Sequence, residues 1–192
     1  MNFIEVQDNL LSKRECTDLI EWVGKNKKMI PHEHKHNWSG YDYHDLMRIG
    51  EDHTQCFSEV PLRPAYRAII DLKNSYVKSF PEANRISYWG IQYVRFKKWS
   101  PNYFYSEWHS EHSSGKVEKG DTGNPNALRR VMQFLIYLTD NDSHTEFRRY
   151  RNVRTKAGRG IMFPAYFTHE HRGSICKKGL DRYILGGYFA FL

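Results

Sequence analysis

The residues best equipped for chemistry lie in Trp108-His109-Ser110-Glu111-His112, at the end of an aromatic run with Tyr103, Phe104 and Tyr105. That run reads as a strand, and side chains on a strand alternate between its two faces. His109 and Glu111 then share one face, while Ser110 and His112 take the other. An imidazole and a carboxylate projecting together form half of a metal site. A second pair stands in Thr168-His169-Glu170-His171, where the same alternation puts His169 and His171 on one face.

Together the two pairs supply enough ligands for a 2-His-1-carboxylate triad, which holds Fe(II) on one side and leaves positions open for a substrate and O2. Either pair alone reads first as ordinary polar residues on a strand face. No Ser-His-Asp or Cys-His pattern offers a protein nucleophile.

The elements that must position these residues follow from pattern. Phe3 to Val6 reads as a short strand. Ser12-Lys13-Arg14-Glu15 is a capping box, in which Glu15 reaches back to the Ser12 amide, and Leu19, Ile20, Trp22 and Val23 follow at helical spacing. Residues 31 to 56 hold His32, His34, His36, His44 and His53 in a polar context; they read as a solvated loop, a candidate lid, rather than a metal tract. Pro61 to Phe80 carries the apolar stripe of a second helix, with Pro81 as its stop.

From residue 87 the pattern changes. Segments Tyr88 to Phe96, Tyr103 to His112, Arg130 to Leu138, Thr145 to Tyr150, Gly160 to Phe163, Phe167 to Arg172 and Arg182 to Phe191 are rich in β-branched and aromatic residues. Gly, Pro, Asn and Asp separate them. Two early helices followed by closely spaced strands predict a mainly β fold, a sandwich or jelly roll with the N-terminal helices packed on one sheet. The expected organisation is a single domain over 1–192, with 1–86 as helical support and 87–192 as the jelly-roll core.

Composition bounds the function. A chain of 192 residues can bury a sizeable core without disulfide or metal staples. Cys16, Cys56 and Cys176 are odd in number and far apart, so they match no zinc pattern and point to a reducing compartment. No apolar run approaches the roughly 20 residues of a membrane span. The formal charge of +7 favours acidic partners without diagnosing nucleic-acid binding. Arg148, Arg149, Arg151, Arg154, Lys156 and Arg159 form a basic hairpin, read first as a charged edge that discourages aggregation and second as a docking surface for acidic protein or phosphate. The expectation is a soluble cytoplasmic protein.

The order of the motifs carries more than any one of them. Trp108-His109-Ser110-Glu111, Tyr137-Leu138, Thr145-Glu146-Phe147, Phe163-Pro164-Ala165, His169-Glu170-His171-Arg172-Gly173 and Arg182-Tyr183-Ile184-Leu185 run through residues 90 to 192. In that order they resemble the Fe(II)/2-oxoglutarate-dependent oxygenases, specifically the small prolyl-4-hydroxylase-like branch of bacteria and large phages. The resemblance implies a double-stranded β-helix (jelly roll, cupin-like). It implies His109 and Glu111 as the first two iron ligands and His171 as the distal one, with His169 as the runner-up or a supporting group. It makes Arg182 the partner of the distal carboxylate of 2-oxoglutarate, for which a guanidinium fork is suited. Tyr137 would donate a phenol hydrogen bond to the same carboxylate; a buried core tyrosine is its plain alternative.

The activity so implied consumes Fe(II), 2-oxoglutarate and O2, with ascorbate as a supporting reductant, and releases succinate and CO2 while hydroxylating a substrate C–H bond. A protein or peptide is the implied substrate, with a prolyl residue favoured; nucleic acid or a small molecule is the alternative within the class. A non-catalytic jelly-roll module with a degenerate metal site is the alternative outside it. The departures from the family pattern are Glu111 where Asp is commoner, Ser143-His144 where Gly-Gly precedes Thr-x-Phe, Arg182 one position later than usual after His171, and Phe96 near the position of a further tyrosine. The implied location is the cytoplasm of a bacterium or an infected host cell.

Overall fold

The computed structural model describes residues 2–32, 41–85, 89–104, 107–111, 129–175 and 179–191. Its framework is a seven-stranded antiparallel sheet facing a three-stranded one. The first 85 residues supply β1 (Glu5–Gln7), α1 (Lys13–Asn26), β2 (Ile30–His32), β3 (Tyr41–Met47), α2 (His53–Cys56) and α3 (Arg63–Ser79). Then come β4 (Trp89–Trp99), β5 (Arg130–Tyr137), β6 (His144–Phe147), β7 (Val153–Arg154), β8 (Gly160–Pro164), β9 (His171–Gly173) and β10 (Arg182–Phe191). The large sheet runs β1-β8-β5-β10-β4-β3-β2 and the small one β7-β6-β9. This is the jelly roll expected from the strand pattern.

Period-two alternation sorts each long strand between two cores. On β5, Phe134 and Ile136 face the helices, as do Val94 and Phe96 on β4, Met162 on β8 and Leu185 on β10. They pack there with Leu19 and Val23 of α1 and Ile69, Leu72 and Tyr76 of α3. The alternate residues Leu135, Tyr137, Ile161, Phe163, Ile184 and Trp99 turn inward and meet Phe147 and Val153 of the small sheet. Truncating one of the fully buried helix-side chains, such as Leu72, removes roughly 2–5 kcal/mol.

The local signals explain the helices. Ser12 Oγ accepts from the Glu15 amide and Glu15 Oε2 accepts from the Ser12 amide, so the capping box is closed at the start of α1. A short 3-10 turn, Val60–Leu62, leads into α3, and the helix stops before Pro81.

Three expectations need correction. Residues 31 to 56 are not a loop: β2, β3 and α2 lie there, and β3 pairs with β4 along Asp42–Met47. The inward positions of β3 are Tyr41, Tyr43 and Asp45, so the segment lacks an apolar strand's alternation. His34 and His36 lie outside the described residues.

The aromatic run before His109 is not a strand either; among its described residues only His109 pairs, in a single bridge to His171. Tyr105 and His112 lie outside them. Finally, Phe167–His169 is a 3-10 turn, and β9 begins only at His171. His169 and His171 therefore do not share a strand face.

Among the described residues no helix is long and apolar enough to cross a membrane. Cys16 and Cys56 are free thiols, and Cys176 is outside the described set.

Candidate metal centre

His109, Glu111 and His171 converge. One ligand atom from each lies within 4.8 Å of the other two. The convergence comes from backbone pairing across chain segments: His109 N–H donates to His171 O at 3.1 Å, and His171 N–H donates to His109 O at 2.9 Å. That bridge sets the two rings 4.3 Å apart, centroid to centroid.

Hydrogen bonding fixes how the two rings are turned. The Nδ1 of His109 lies 3.0 Å from Glu107 O, and the Nδ1 of His171 lies 3.0 Å from His169 O. A carbonyl only accepts, so each Nδ1 carries a proton, and Nε2 is the ring nitrogen turned toward Glu111. Those two Nε2 atoms stand 3.6 and 3.8 Å from Glu111 Oε1. Three acceptor atoms thus face one another, an arrangement that a cation relieves. With metal–ligand bonds of about 2.1 Å the spacing suits a first-row divalent ion, so these side chains fit Fe(II).

Burial keeps the set in its ligand-ready form. Desolvation, followed by repulsion from His109, pushes the His171 imidazolium down to about 3, so its ring is neutral at physiological pH. Burial alone would push Glu111 upward. His109, His171 and Lys97 outweigh it and hold the carboxyl below its ordinary range.

Both oxygens of Glu111 are also engaged: Tyr188 Oη donates to Oε2 at 2.5 Å, Gln133 Nε2 to Oε1 at 2.7 Å, and Arg130 Nη1 lies 3.5 Å from Oε2. Glutamate's extra methylene is therefore tied down on both sides.

His169 is elsewhere. Its Nε2 lies 2.9 Å from Asn2 O, its Nδ1 2.9 Å from Thr168 Oγ1, and its ring stacks on Tyr150. The structure brings His171, not His169, to Glu111.

From the three ligands a cavity of about 150 Å³ runs along the inner face of the large sheet, lined by Lys97, Trp99, Gln133, Leu135, Thr145, Ile184 and Tyr188 among others, to Arg182. Arg182 is 3% exposed. Its Nη1 donates to Ser174 O at 3.0 Å and to Ser143 Oγ at 3.3 Å, and its guanidinium lies 4.5 Å from the Trp99 ring. Ser143, one of the departures from the Gly-Gly pattern, thus supports the arginine. Tyr137 is fully buried, and its hydroxyl shares a 2.7 Å hydrogen bond with Thr145 Oγ1, a residue of the cavity wall. Burial pushes that phenol up to about 12, so it stays a neutral donor or acceptor. Arg172 also lines the cavity; it is paired with Glu146, and its guanidinium lies 4.7 Å from the Trp108 ring.

Gln133, Tyr188, Thr145 and Ser143 were given no role in the site from the sequence, although Thr145 and Ser143 stood in quoted motifs. Two of them were within reach: counting by twos from Arg182 along β10 arrives at Tyr188, and Gln133 is the one amide in the otherwise apolar run Val131–Tyr137. The basic hairpin is in part neutralised, since Asp8 pairs with Lys156 and Arg159, and Glu170 with Arg148.

No family model and no curated protein sequence matches the chain. Solved structures do. The viral collagen prolyl hydroxylase of Paramecium bursaria Chlorella virus-1, as its 2OG complex, aligns over 100% of this chain and 97% of its own, with a TM-score of 0.65 and 18% identity. A Pseudomonas putida prolyl-4-hydroxylase aligns over 100% and 94%, with a TM-score of 0.63 and 14% identity. A Trichoplax adhaerens prolyl hydroxylase, solved with a hypoxia inducible factor oxygen degradation domain peptide, aligns over 100% and 84%, with a TM-score of 0.58 and 15% identity. On this likeness, the chain has the fold of the prolyl 4-hydroxylases and of the 2OG-Fe(II) oxygenases around them.

Proposed function

We propose that this chain is an Fe(II)- and 2-oxoglutarate-dependent oxygenase that hydroxylates a C–H bond in a protein or peptide, with a prolyl residue as the favoured target. The observation that carries this reading is the pairing of two features in one cavity: two imidazoles and a carboxylate converge at one end, and a buried arginine stands at the other. When bound, Fe(II) with 2-oxoglutarate and O2 supplies an oxidative decarboxylation to succinate and CO2, coupled to insertion of one oxygen atom into the substrate.

The protein's part is to hold and orient. His109, Glu111 and His171 hold the ion through Nε2, Oε1 and Nε2. Tyr188 and Gln133 keep the Glu111 carboxylate from rotating. Arg182 binds the distal carboxylate of 2-oxoglutarate, kept in place by Ser143 and Ser174. Tyr137 acts on the same carboxylate through Thr145, whose hydroxyl it orients.

A peptide substrate is supported by the solved relatives that are prolyl hydroxylases, one of them bound to a peptide. The pairing of Lys156, Arg159 and Arg148 with carboxylates leaves less free positive surface for a nucleic acid than the formal charge suggests.

The test is aerobic incubation with Fe(II), 2-oxoglutarate, ascorbate and prolyl peptides, reading succinate and, by mass spectrometry, one added oxygen per peptide. Product should require all three of metal, 2-oxoglutarate and peptide, and His109→Ala should abolish it. Full turnover by His109→Ala would overturn the reading. Failure of the apoprotein to bind Fe(II) and 2-oxoglutarate together would instead favour a binding module.

A further inference from the structure

The inward face of β4 carries Tyr93, Arg95, Lys97 and Trp99, and the charges on it are not equally served. Arg95 pairs with Asp45 at 2.7 Å and lies 3.7 Å from the Tyr43 ring. Lys97, a wall residue of the cavity, forms no hydrogen bond or ion pair with any described residue; its ammonium lies 5.4 Å from the Tyr41 ring and 5.9 Å from that of Trp99. A half-buried ammonium touched only by ring faces, with the Glu111 carboxylate acting on it through space alone, is stabilised further when an anion meets it directly.

Strand register says where such an anion would sit. Across β4 and β10 the pairs are Trp99 with Arg182, Lys97 with Ile184, Arg95 with Gly186 and Tyr93 with Tyr188. Arg182 thus marks one end of the cavity, and Tyr188, which holds Glu111, marks the other. The Lys97 side chain leaves its own level and runs toward the Glu111 end: its Cε passes 4.0 Å from the point where a Cβ on Gly186 would stand. The ammonium is therefore between Arg182 and the metal ligands. A second orphan lies beside it, since the indole N–H of Trp99 is buried with no acceptor. Both groups are donors, and both are served by a ligand that brings carboxylate oxygens into this space.

We propose that Lys97 is a second carboxylate-binding residue of this cavity, holding the 2-oxo-acid end of 2-oxoglutarate while Arg182 holds the distal end. The inference rests on the oxygenase reading above and adds a residue to it. The Trp99 indole N–H then completes the Arg182 end.

Anaerobic calorimetric titration of the Fe(II)-loaded protein separates the cases, with 2-oxoglutarate and with 2-oxobutyrate, which keeps the 2-oxo acid and lacks the distal carboxylate. Lys97→Met should weaken both ligands by about tenfold, the size expected for one charge-assisted hydrogen bond. Lys97→Arg should recover part of the loss. The melting temperature of ligand-free Lys97→Met should change by no more than a few degrees, because the ammonium loses two ring-face contacts and its through-space attraction to Glu111 but no hydrogen bond. Unchanged affinity of Lys97→Met for 2-oxoglutarate would overturn the assignment, as would a loss confined to 2-oxoglutarate, which would place Lys97 on the distal carboxylate. If the wild-type protein binds neither ligand, the oxygenase reading falls, and this assignment with it.

Discussion

Gly173 leaves the space that the Arg182 guanidinium occupies: a Cβ on Gly173 would stand 2.7 Å from Nη2 and 3.2 Å from Nη1. The close approach gives a physical reason for glycine two residues after His171, at the end of β9. It also gives a clean perturbation. The atoms that would clash are the tip of a flexible side chain, so Gly173→Ala should fold, with Arg182 displaced from Ser143 and Ser174. The expected outcome is a melting temperature within a few degrees of wild type and an affinity for 2-oxoglutarate about tenfold lower. Calorimetry and thermal unfolding on the same sample check both halves.

The two histidines of Thr168–His171 make opposite predictions. His171→Ala removes a ligand atom from the centre and should lower Fe(II) or Mn(II) affinity by at least about a hundredfold with a modest effect on folding. His169→Ala leaves the three converging atoms in place and removes the hydrogen bond to Asn2 O and the stacking on Tyr150. It should cost about 1–3 kcal/mol of stability with metal affinity largely retained. Metal titration and chemical denaturation of both variants decide; the reverse pattern would show His169 to be the ligand.

How much of this was legible beforehand differs from element to element. The capping box at Ser12 and Glu15, the α3 stripe and the strands around Leu135, Ile161 and Ile184 were legible because local spacing alone dictates them. β3 was not, because its inward positions are Tyr41, Tyr43 and Asp45, and a strand lining a polar cavity lacks the apolar alternation of a core strand.

His109 and Glu111 were found through strand alternation, although no strand is there. What holds His109 beside His171 is one backbone bridge between segments 62 residues apart in number (171 minus 109), which no local pattern contains. Gln133 and Tyr188 each carry a local signal, but their meeting at Glu111 does not, because their strands come together only in the folded sheet.

Those groups carry the third prediction. Tyr188 donates to the Glu111 oxygen that faces away from the imidazoles, and its ring lies 3.8 Å from the Arg130 guanidinium. Tyr188→Phe deletes the hydroxyl and keeps the ring, so packing survives while the carboxylate is freed to rotate. Metal affinity should fall about 10- to 100-fold, the range for lost outer support of a ligand, with little change in the denaturation midpoint. Gln133→Leu should act in the same direction, since its amide anchors the other oxygen. Unaltered metal affinity in both variants would show that Glu111 is positioned by its backbone alone.

The last prediction concerns acid. Asp8 accepts from Arg159 Nε at 2.6 Å and Nη2 at 3.1 Å, and from Lys156 Nζ at 2.8 Å, tying the start of the chain to the turn between β7 and β8. The hydrogen bonds from Arg159, then Lys156, hold its carboxyl well below the usual range. A carboxyl depressed in the folded state contributes stability above its unfolded pKa of about 3.9 and loses it as pH falls through and below that value. The side chain is 37% exposed, so solvent screening limits the contribution to about 1 kcal/mol. Asp8→Asn should therefore be less stable than wild type by about that amount at pH 7. The gap should shrink steadily below about pH 4 as wild-type Asp8 begins to protonate. Comparing the two proteins at each pH cancels the titration of Glu111, Glu146 and the other carboxylates they share. A gap that stays constant from pH 7 to pH 3 would mean that the Asp8 contacts hold no charge-dependent stability.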